Sequence, residues 1–338
     1  MPIQVLSCPA CGAPLPPEAL RGVWVCAYCK NTLICVNGAA IRFDPDDDSD
    51  EPQEFARRPR VTVAGRAYRV LGRLAQGDGA DVFLARRAAR LTELVVLKVI
   101  RAREDADLLA REWKVLQTLH GSGAQGSHYF TALLPQLVIH GELVDVAGHK
   151  RPASVFRWRS GFQLTLEDVA ALQPQGVDAR SAVWMWKRAL ELLGWVHRSG
   201  YMHGAVLPQH LLIHPRDHGV VLVGWSSAVR PAMGEPLPAM SAANHAYYPS
   251  EVWSGAPPSP STDITMSARC LIRVLGGDPA RGTIPDRVPA PLAALLRAHA
   301  DNSSREADAW ALMERVSRAG REAFGPPKYH PLDLPGWR

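Results

Sequence analysis

No run of 18 or more uncharged apolar residues occurs in the 338-residue chain, so no helical membrane span is expected. The first residues, Met1-Pro2-Ile3-Gln4, lack the basic-then-apolar pattern of a secretory signal, and a cytoplasmic location is expected. No run of Lys and Arg marks a nucleic-acid stripe, although the net charge is +5. Charged residues make up only 21% against 47% hydrophobic, which excludes global disorder and permits a packed core.

What charge there is falls unevenly. Residues 1–43 carry a net +2, residues 44–54 hold seven acids and no base, and the remainder carries +10. The acidic run reads as a solvated, extended linker, with residues 44–60 joining two folded parts.

Cysteine is scarce, six in all, but four are paired as Cys8-Pro9-Ala10-Cys11 and Cys26-Ala27-Tyr28-Cys29 with fourteen residues between the pairs. Two such knuckles can set four thiolates tetrahedrally about one Zn²⁺. Gly12 follows the second thiol, where a tight turn favours a residue without a Cβ. Val23–Val25 and Thr32–Val36 read as short strands, so residues 1–43 look like a zinc ribbon. Disulfides are disfavoured without a secretory signal, and iron is the alternative metal. A unit this small needs the metal for its folding energy, so the Zn²⁺ is structural. Cys35 and Cys270 sit among apolar neighbours and read as packed small hydrophobes. Trp24 and Tyr28 are two stacking candidates and bases are few, so protein contact or capping is favoured over nucleic acid.

From Val61 the pattern turns to strands. Tyr68–Leu71 leads to a turn at Gln76-Gly77-Asp78-Gly79-Ala80, then Asp81–Ala85, then a strand at Leu94–Ile100 that carries Lys98. A helix follows over Ala106–His120, with Leu109, Trp113, Leu116 and His120 at three-to-four spacing. Glu112 falls on that face and needs a cation, for which Lys98 is the candidate. Ala182–His197 is a second apolar helix, followed by His203-Gly204-Ala205-Val206-Leu207-Pro208-Gln209-His210, the strand Val220–Val223 and Gly224-Trp225-Ser226. Then come Tyr248-Pro249-Ser250-Glu251, a helix opened by Ser261-Thr262-Asp263, and Asn302-Ser303-Ser304-Arg305 before a last helix. In this order, across residues 66–323, these segments resemble a eukaryotic-type protein kinase.

That resemblance implies an α+β, two-lobed kinase-like fold: a β-rich small lobe over residues 61–157, an α-rich large lobe over 158–324 and a proline-rich tail over 325–338. It also shows what is missing. Kinases use one aspartate at the substrate hydroxyl, and an asparagine and a second aspartate on Mg²⁺. Here these positions read Ala205, His210 and Gly224, and the loop lysine is Leu207. Alanine and glycine offer no ligand, and Mg²⁺ prefers oxygen to imidazole, so Mg²⁺ is not expected. With the loop aligned on Val82, Ala75, Gly77 and Ala80 stand at the three glycine positions; only Gly77 survives, which leaves ATP in question. Lys98, Glu112 and Gly77 are what remains of a nucleotide site, and Lys98 with Glu112 reads first as an internal ion pair.

By the same resemblance Asp263, Glu251 and Arg305 brace the large lobe, with a Glu251–Arg305 pair expected, and His203 packs in the core. Trp225 is expected to fill the space where phosphates and metal would sit. His197, His203, His210 and His214 share no helical face, so a second metal site is not expected there. Trp184, Trp186 and Trp195 read as packing residues. In the tail, Tyr329, Leu332, Leu334 and Trp337 are anchors, and packing on its own lobe is favoured over docking on a partner. The chain therefore reads as a pseudokinase of a GC-rich bacterial type, with no catalytic residue. It would scaffold or regulate a protein partner of its pathway, such as a kinase, a phosphatase or another enzyme. Two alternatives stand: an atypical nucleotide-dependent transferase with relocated catalytic residues, and a nucleic-acid-binding adaptor led by the ribbon.

Overall fold

The computed structural model describes residues 8, 11–15, 22–29, 32–36, 39–43, 58–89, 92–301 and 306–334. The acidic stretch 44–54 and Arg305, with its expected pair to Glu251, lie outside the described residues, as do the side chains of Trp24 and Cys35. Among the described residues no helix is long and apolar enough to cross a membrane. The chain divides into two compact units, residues 1–109 with 136–160 and 335–338, and residues 110–135 with 161–334.

The first unit is built from strands. β1 (Gly22–Val25), β2 (Thr32–Val36) and β3 (Ala39–Phe43) form an antiparallel sheet in that order. β4 (Arg60–Val63), β5 (Arg66–Gln76), β6 (Ala80–Arg87), β7 (Leu94–Ile100), β8 (Leu137–Val144) and β9 (Lys150–Arg157) close into a barrel with the order β4-β5-β6-β7-β9-β8. β5 is longer than the Tyr68–Leu71 pattern suggested. It stays paired to Gln76 through two register shifts, which let a strand with interrupted alternation follow the curved wall. Closure comes from β4, which pairs Thr62 with Val144 and Val63 with Leu143 and so leaves neither strand an open edge. Alternate residues fill the interior: Val61, Val63, Tyr68, Ala85, Val95, Leu97, Val99, Leu143, Ala153 and Val155.

The second unit is mostly helical. α1 (Ala106–His120) begins in the first unit and continues here. Its buried face is Leu109, Glu112, Val115, Leu116 and Leu119, a quarter turn from the expected stripe. Trp113 and His120 are half-buried, and the His120 imidazole bonds the Pro135 carbonyl at 2.9 Å. After α2 (Ser127–Phe130), β10 (Leu164–Thr165) leads into α3 (Leu166–Leu172), started by a reciprocal cap between Thr165 and Asp168. The long helix α4 (Ala179–Arg198) is capped by Asp178, and it buries Met185, Trp186, Leu190, Leu193 and Val196. β11 (Leu211–His214) and β12 (Gly219–Leu222) pair antiparallel, with β10 on the other side of β11. α5 (Ser250–Trp253), α6 (Pro260–Val274), α7 (Ala290–Ala300) and α8 (Ala309–Phe324) complete the unit.

Residues 325–334 of the tail pack on this second unit, and the expected anchor Trp337 lies outside the described residues. Leu332 and Leu334 are buried, Gln173 donates to the Asp333 carbonyl at 2.9 Å, and Tyr329 stacks on His218, which stacks in turn on Trp184.

Candidate functional site

Cys8, Cys11, Cys26 and Cys29 come together with all four sulfurs within 4.8 Å of one another. The Cys8–Cys29 and Cys11–Cys26 sulfurs are each 3.7 Å apart. A sulfur tetrahedron around Zn²⁺ with bonds of about 2.3 Å has edges of about 3.8 Å, whereas a disulfide needs about 2.05 Å. The donor set and its size therefore fit one four-coordinate metal. The first knuckle is shaped by its own backbone. The Gly12 N–H donates to the Cys8 carbonyl, the Cys8 N–H to the Ala13 carbonyl, and Gly12 takes the left-handed φ of 72° that the turn requires.

The loop from His203 to His210 is organised around a carboxylate that touches no solvent. Asp263, near the start of α6, is fully buried and accepts the backbone N–H groups of His203 and Gly204, each at 2.8 Å, and the His197 Nε2–H at 2.9 Å. Burial works to raise its pKa, but the hydrogen bond and charge of His197, the charge of His203 and the backbone donor outweigh it and hold the carboxyl below its ordinary value. His203 itself is sealed in the core. Its Nε2–H donates to the Val223 carbonyl at 3.0 Å while Nδ1 accepts the Ala205 N–H at 3.3 Å. Burial drives its pKa down to about 3, against the opposing charge of Asp263, so the ring is neutral at pH 7.

Ala205, His210 and Gly224 do meet. The His210 Nδ1–H donates to the Ala205 carbonyl at 2.8 Å, and the His210 ring lies directly over Gly224. A Cβ at position 224 would fall 2.6 Å from His210 Nε2, and Gly224 has a φ of 82° that disfavours any L side chain. The side chain that lies against Gly224 is His210. Trp225 is held inward, because its indole N–H donates to the Leu222 carbonyl at 2.8 Å and its ring packs edge-on to His203. Its backbone N–H donates to Glu112 Oε1 at 2.9 Å, which gives that buried carboxylate a donor within its own unit.

The histidines that the spacing kept apart are partly reunited. His197 and His203 both face Asp263, whereas His214 turns away to accept the Asp217 N–H at 3.0 Å. His197 was missed as a site residue. Its signal was only a position near the end of an apolar helix, and its partner lies 66 residues away. Arg269 was missed too. It gathers the carbonyls of Tyr248 and Ala300, at 2.5 and 2.8 Å, behind the segment ending at Glu251, and backbone acceptors leave no trace in a sequence.

No family model matches the chain, and no curated protein matches its sequence. Among solved structures it resembles a Toxoplasma gondii specific rhoptry antigen kinase domain, with a TM-score of 0.59 and 14% identity over 79% of this chain and 87% of that one. The fold is kinase-like.

Within this kinase-like chain, Gly77 and Lys98 belong to the barrel unit. Lys98 stands on β7, paired with Val82 on one side and Ser154 on the other. The Gly77 turn is already occupied by its own bonds. The Gly77 N–H donates to the Ala80 carbonyl at 2.8 Å, and Arg101 donates to the carbonyls of Gly77 and Gly79. Asp78 is exposed at the tip, and Asp105 packs so that a Cβ on Gly79 would lie 3.1 Å from its carboxylate. A turn whose N–H is spent and whose neighbours are acids is a poor cradle for phosphate.

Proposed function

We propose that the chain is a two-lobed pseudokinase: a protein-kinase-like scaffold that binds a signalling partner and transfers no phosphoryl group. The barrel and helical units correspond to the family's small and large lobes, and the four-cysteine module is a zinc ribbon holding one structural Zn²⁺. The partner would be a protein of the same pathway, such as a kinase, a phosphatase or another enzyme.

The observation that carries this reading is the His210 ring over Gly224, bonded to the Ala205 carbonyl. The three positions that would supply a proton acceptor and two metal ligands hold a methyl group, a hydrogen atom and an imidazole that fills the space between them. Phosphoryl transfer is positioning and charge neutralisation, and this arrangement offers neither a carboxylate nor room for a hydrated Mg²⁺. The same packing suits a binding role. Asp263, His197 and His203 hold the loop in a single hydrogen-bonded arrangement that needs no nucleotide to order it.

The test is calorimetric titration of ATP into zinc-loaded protein with and without Mg²⁺, alongside a phosphoryl-transfer assay on generic protein substrates. Absence of Mg²⁺-dependent binding and of transfer is the expected result. Binding that appears only with Mg²⁺ overturns it and requires a metal ligand elsewhere.

A further inference from the structure

One row of the barrel's outer face is built from like charges. Arg60 on β4 stands directly opposite Arg69 on β5, and Arg69 stands directly opposite Arg86 on β6. Residues opposed in this way leave a sheet on the same face, and successive residues alternate between its faces. Val61, Tyr68 and Ala85, the chain neighbours of the three arginines, fill the barrel interior, so the row faces outward. Arg60 is exposed, and Arg69 and Arg86 are half-buried. The Arg69 guanidinium donates to the Arg58 carbonyl at 2.8 Å, a bond that steadies it without neutralising it.

Like charges directly opposed across strands are destabilising, and these strands offer the row no carboxylate. β4, β5 and β6 hold one acid between them, Asp81. It has the inward parity of Phe83 and Ala85 and is ion-paired with Arg73 at 3.7 Å. Glu142 on β8 shares the outward face, being next to buried Leu143, but it is bonded to Lys150 at 2.9 Å.

The counter-charge stands next in the chain. Residues 44–54 hold seven acids and no base, and only Phe55, Ala56 and Arg57 separate them from Arg58. Phe43, the last residue of β3, pairs with Thr32 of β2, and β2 lies beside β5. Arg60, the first residue of β4, pairs with β5 as well. Both ends of the acidic stretch are therefore held beside the strand that carries the middle arginine. The row spans two strand spacings, about 10 Å, a distance that about three extended residues cover.

We infer that this arginine row is a docking face for a polyacidic segment, and that its occupant is the chain's own stretch 44–54. The short tether gives the stretch a roughly millimolar effective concentration at the row. This docking is separate from the partner binding proposed above.

The test uses the full, zinc-loaded protein at about 50 and about 500 mM salt, the higher concentration screening exposed charge pairs. Endoproteinase Asp-N, which cuts before aspartate, reads access to residues 44–50, with rates normalised to the free peptide 44–54. Wild type is expected to be cut several-fold more slowly at low salt than at high salt. Arg60→Gln combined with Arg86→Gln should be cut quickly at both. A second arm uses the peptide 44–54 as a probe for a chain in which every Asp and Glu of that stretch is replaced by Asn and Gln. That chain should bind the peptide, and wild type should bind it several-fold more weakly. Adding the two arginine substitutions should weaken binding by about tenfold, because two exposed ion pairs are lost. Equal cutting of wild type and the arginine variant at low salt would overturn the docking. So would equal binding of the peptide by wild type and the neutralised chain, which would leave the row open to an acidic partner. Salt-sensitive binding of an oligothymidylate by wild type, with no slowing of Asp-N, would assign the row to nucleic acid and likewise overturn it.

Discussion

Replacing Asp263 with alanine should be among the most costly single changes in the helical unit. The carboxylate holds three donors at 2.8, 2.8 and 2.9 Å, and all three belong to the loop that starts at His203 or to α4, the helix before it. Each hydrogen bond to a charged acceptor contributes about 1.5–3 kcal/mol, though the three share one group and do not add fully. Removing one partner of a buried charged network costs about 3–5 kcal/mol, because the backbone N–H groups of His203 and Gly204 and the His197 ring would stay buried without an acceptor. For a unit of this size that corresponds to a fall in melting temperature of about 10 °C. Urea unfolding followed by tryptophan fluorescence reads the change directly, since Trp186, Trp195 and Trp225 are buried in the same unit. Asp263→Asn should recover less than half of the loss, because its amide accepts at one atom only and turns an N–H toward existing donors. A loss of less than about 1 kcal/mol in Asp263→Ala would refute the claim that this carboxylate organises the loop.

The same network predicts acid sensitivity. His203 has a folded pKa depressed to about 3, so its contribution is complete above the unfolded value near 6.5 and is lost as pH falls toward 3. The slope is at most about 1.4 kcal/mol per pH unit, and protonation of Asp263, whose pKa is also depressed, adds loss in the same direction at the acid end. Urea midpoints flat between pH 7 and 4 would contradict it. Gly224→Ala should cost about 1–3 kcal/mol, through its left-handed φ and the clash with His210, and His210→Ala should relieve the clash but not the φ, giving a non-additive double-mutant cycle. Metal analysis should find one Zn²⁺ per chain, lost in Cys26→Ser, with chelation abolishing the β1–β3 sheet in hydrogen exchange while the helical unit's melt is unmoved. Deleting residues 325–338 should lower the melting temperature by exposing the sites of Leu332 and Leu334, and an unchanged melt would mean the tail packing adds nothing to stability.

Local signals were legible from the residues alone. The two Cys-x-x-Cys pairs, the helix over Ala106–His120 and the succession of strand, turn and strand at Gly77 each depend on neighbours within a few residues, where spacing and backbone preference carry most of the information. The identities of Ala205, His210 and Gly224 were legible for the same reason, since which residue stands at a position is read directly from the chain. What side chains do once those positions are brought together was not visible. His210 lies against Gly224, Glu112 accepts an N–H from a residue 113 positions later, and His197 shares Asp263 with His203. Closure of the barrel by β4 on β8 joins residues about eighty apart, and the tail's Tyr329 finds its place on His218 across more than a hundred. Which residues the chain holds, and their spacing along it, was decided by its sequence. Which of them come to lie against one another was decided only by the tertiary fold, because packing is settled by shape and hydrogen-bond supply among groups that chain order keeps far apart.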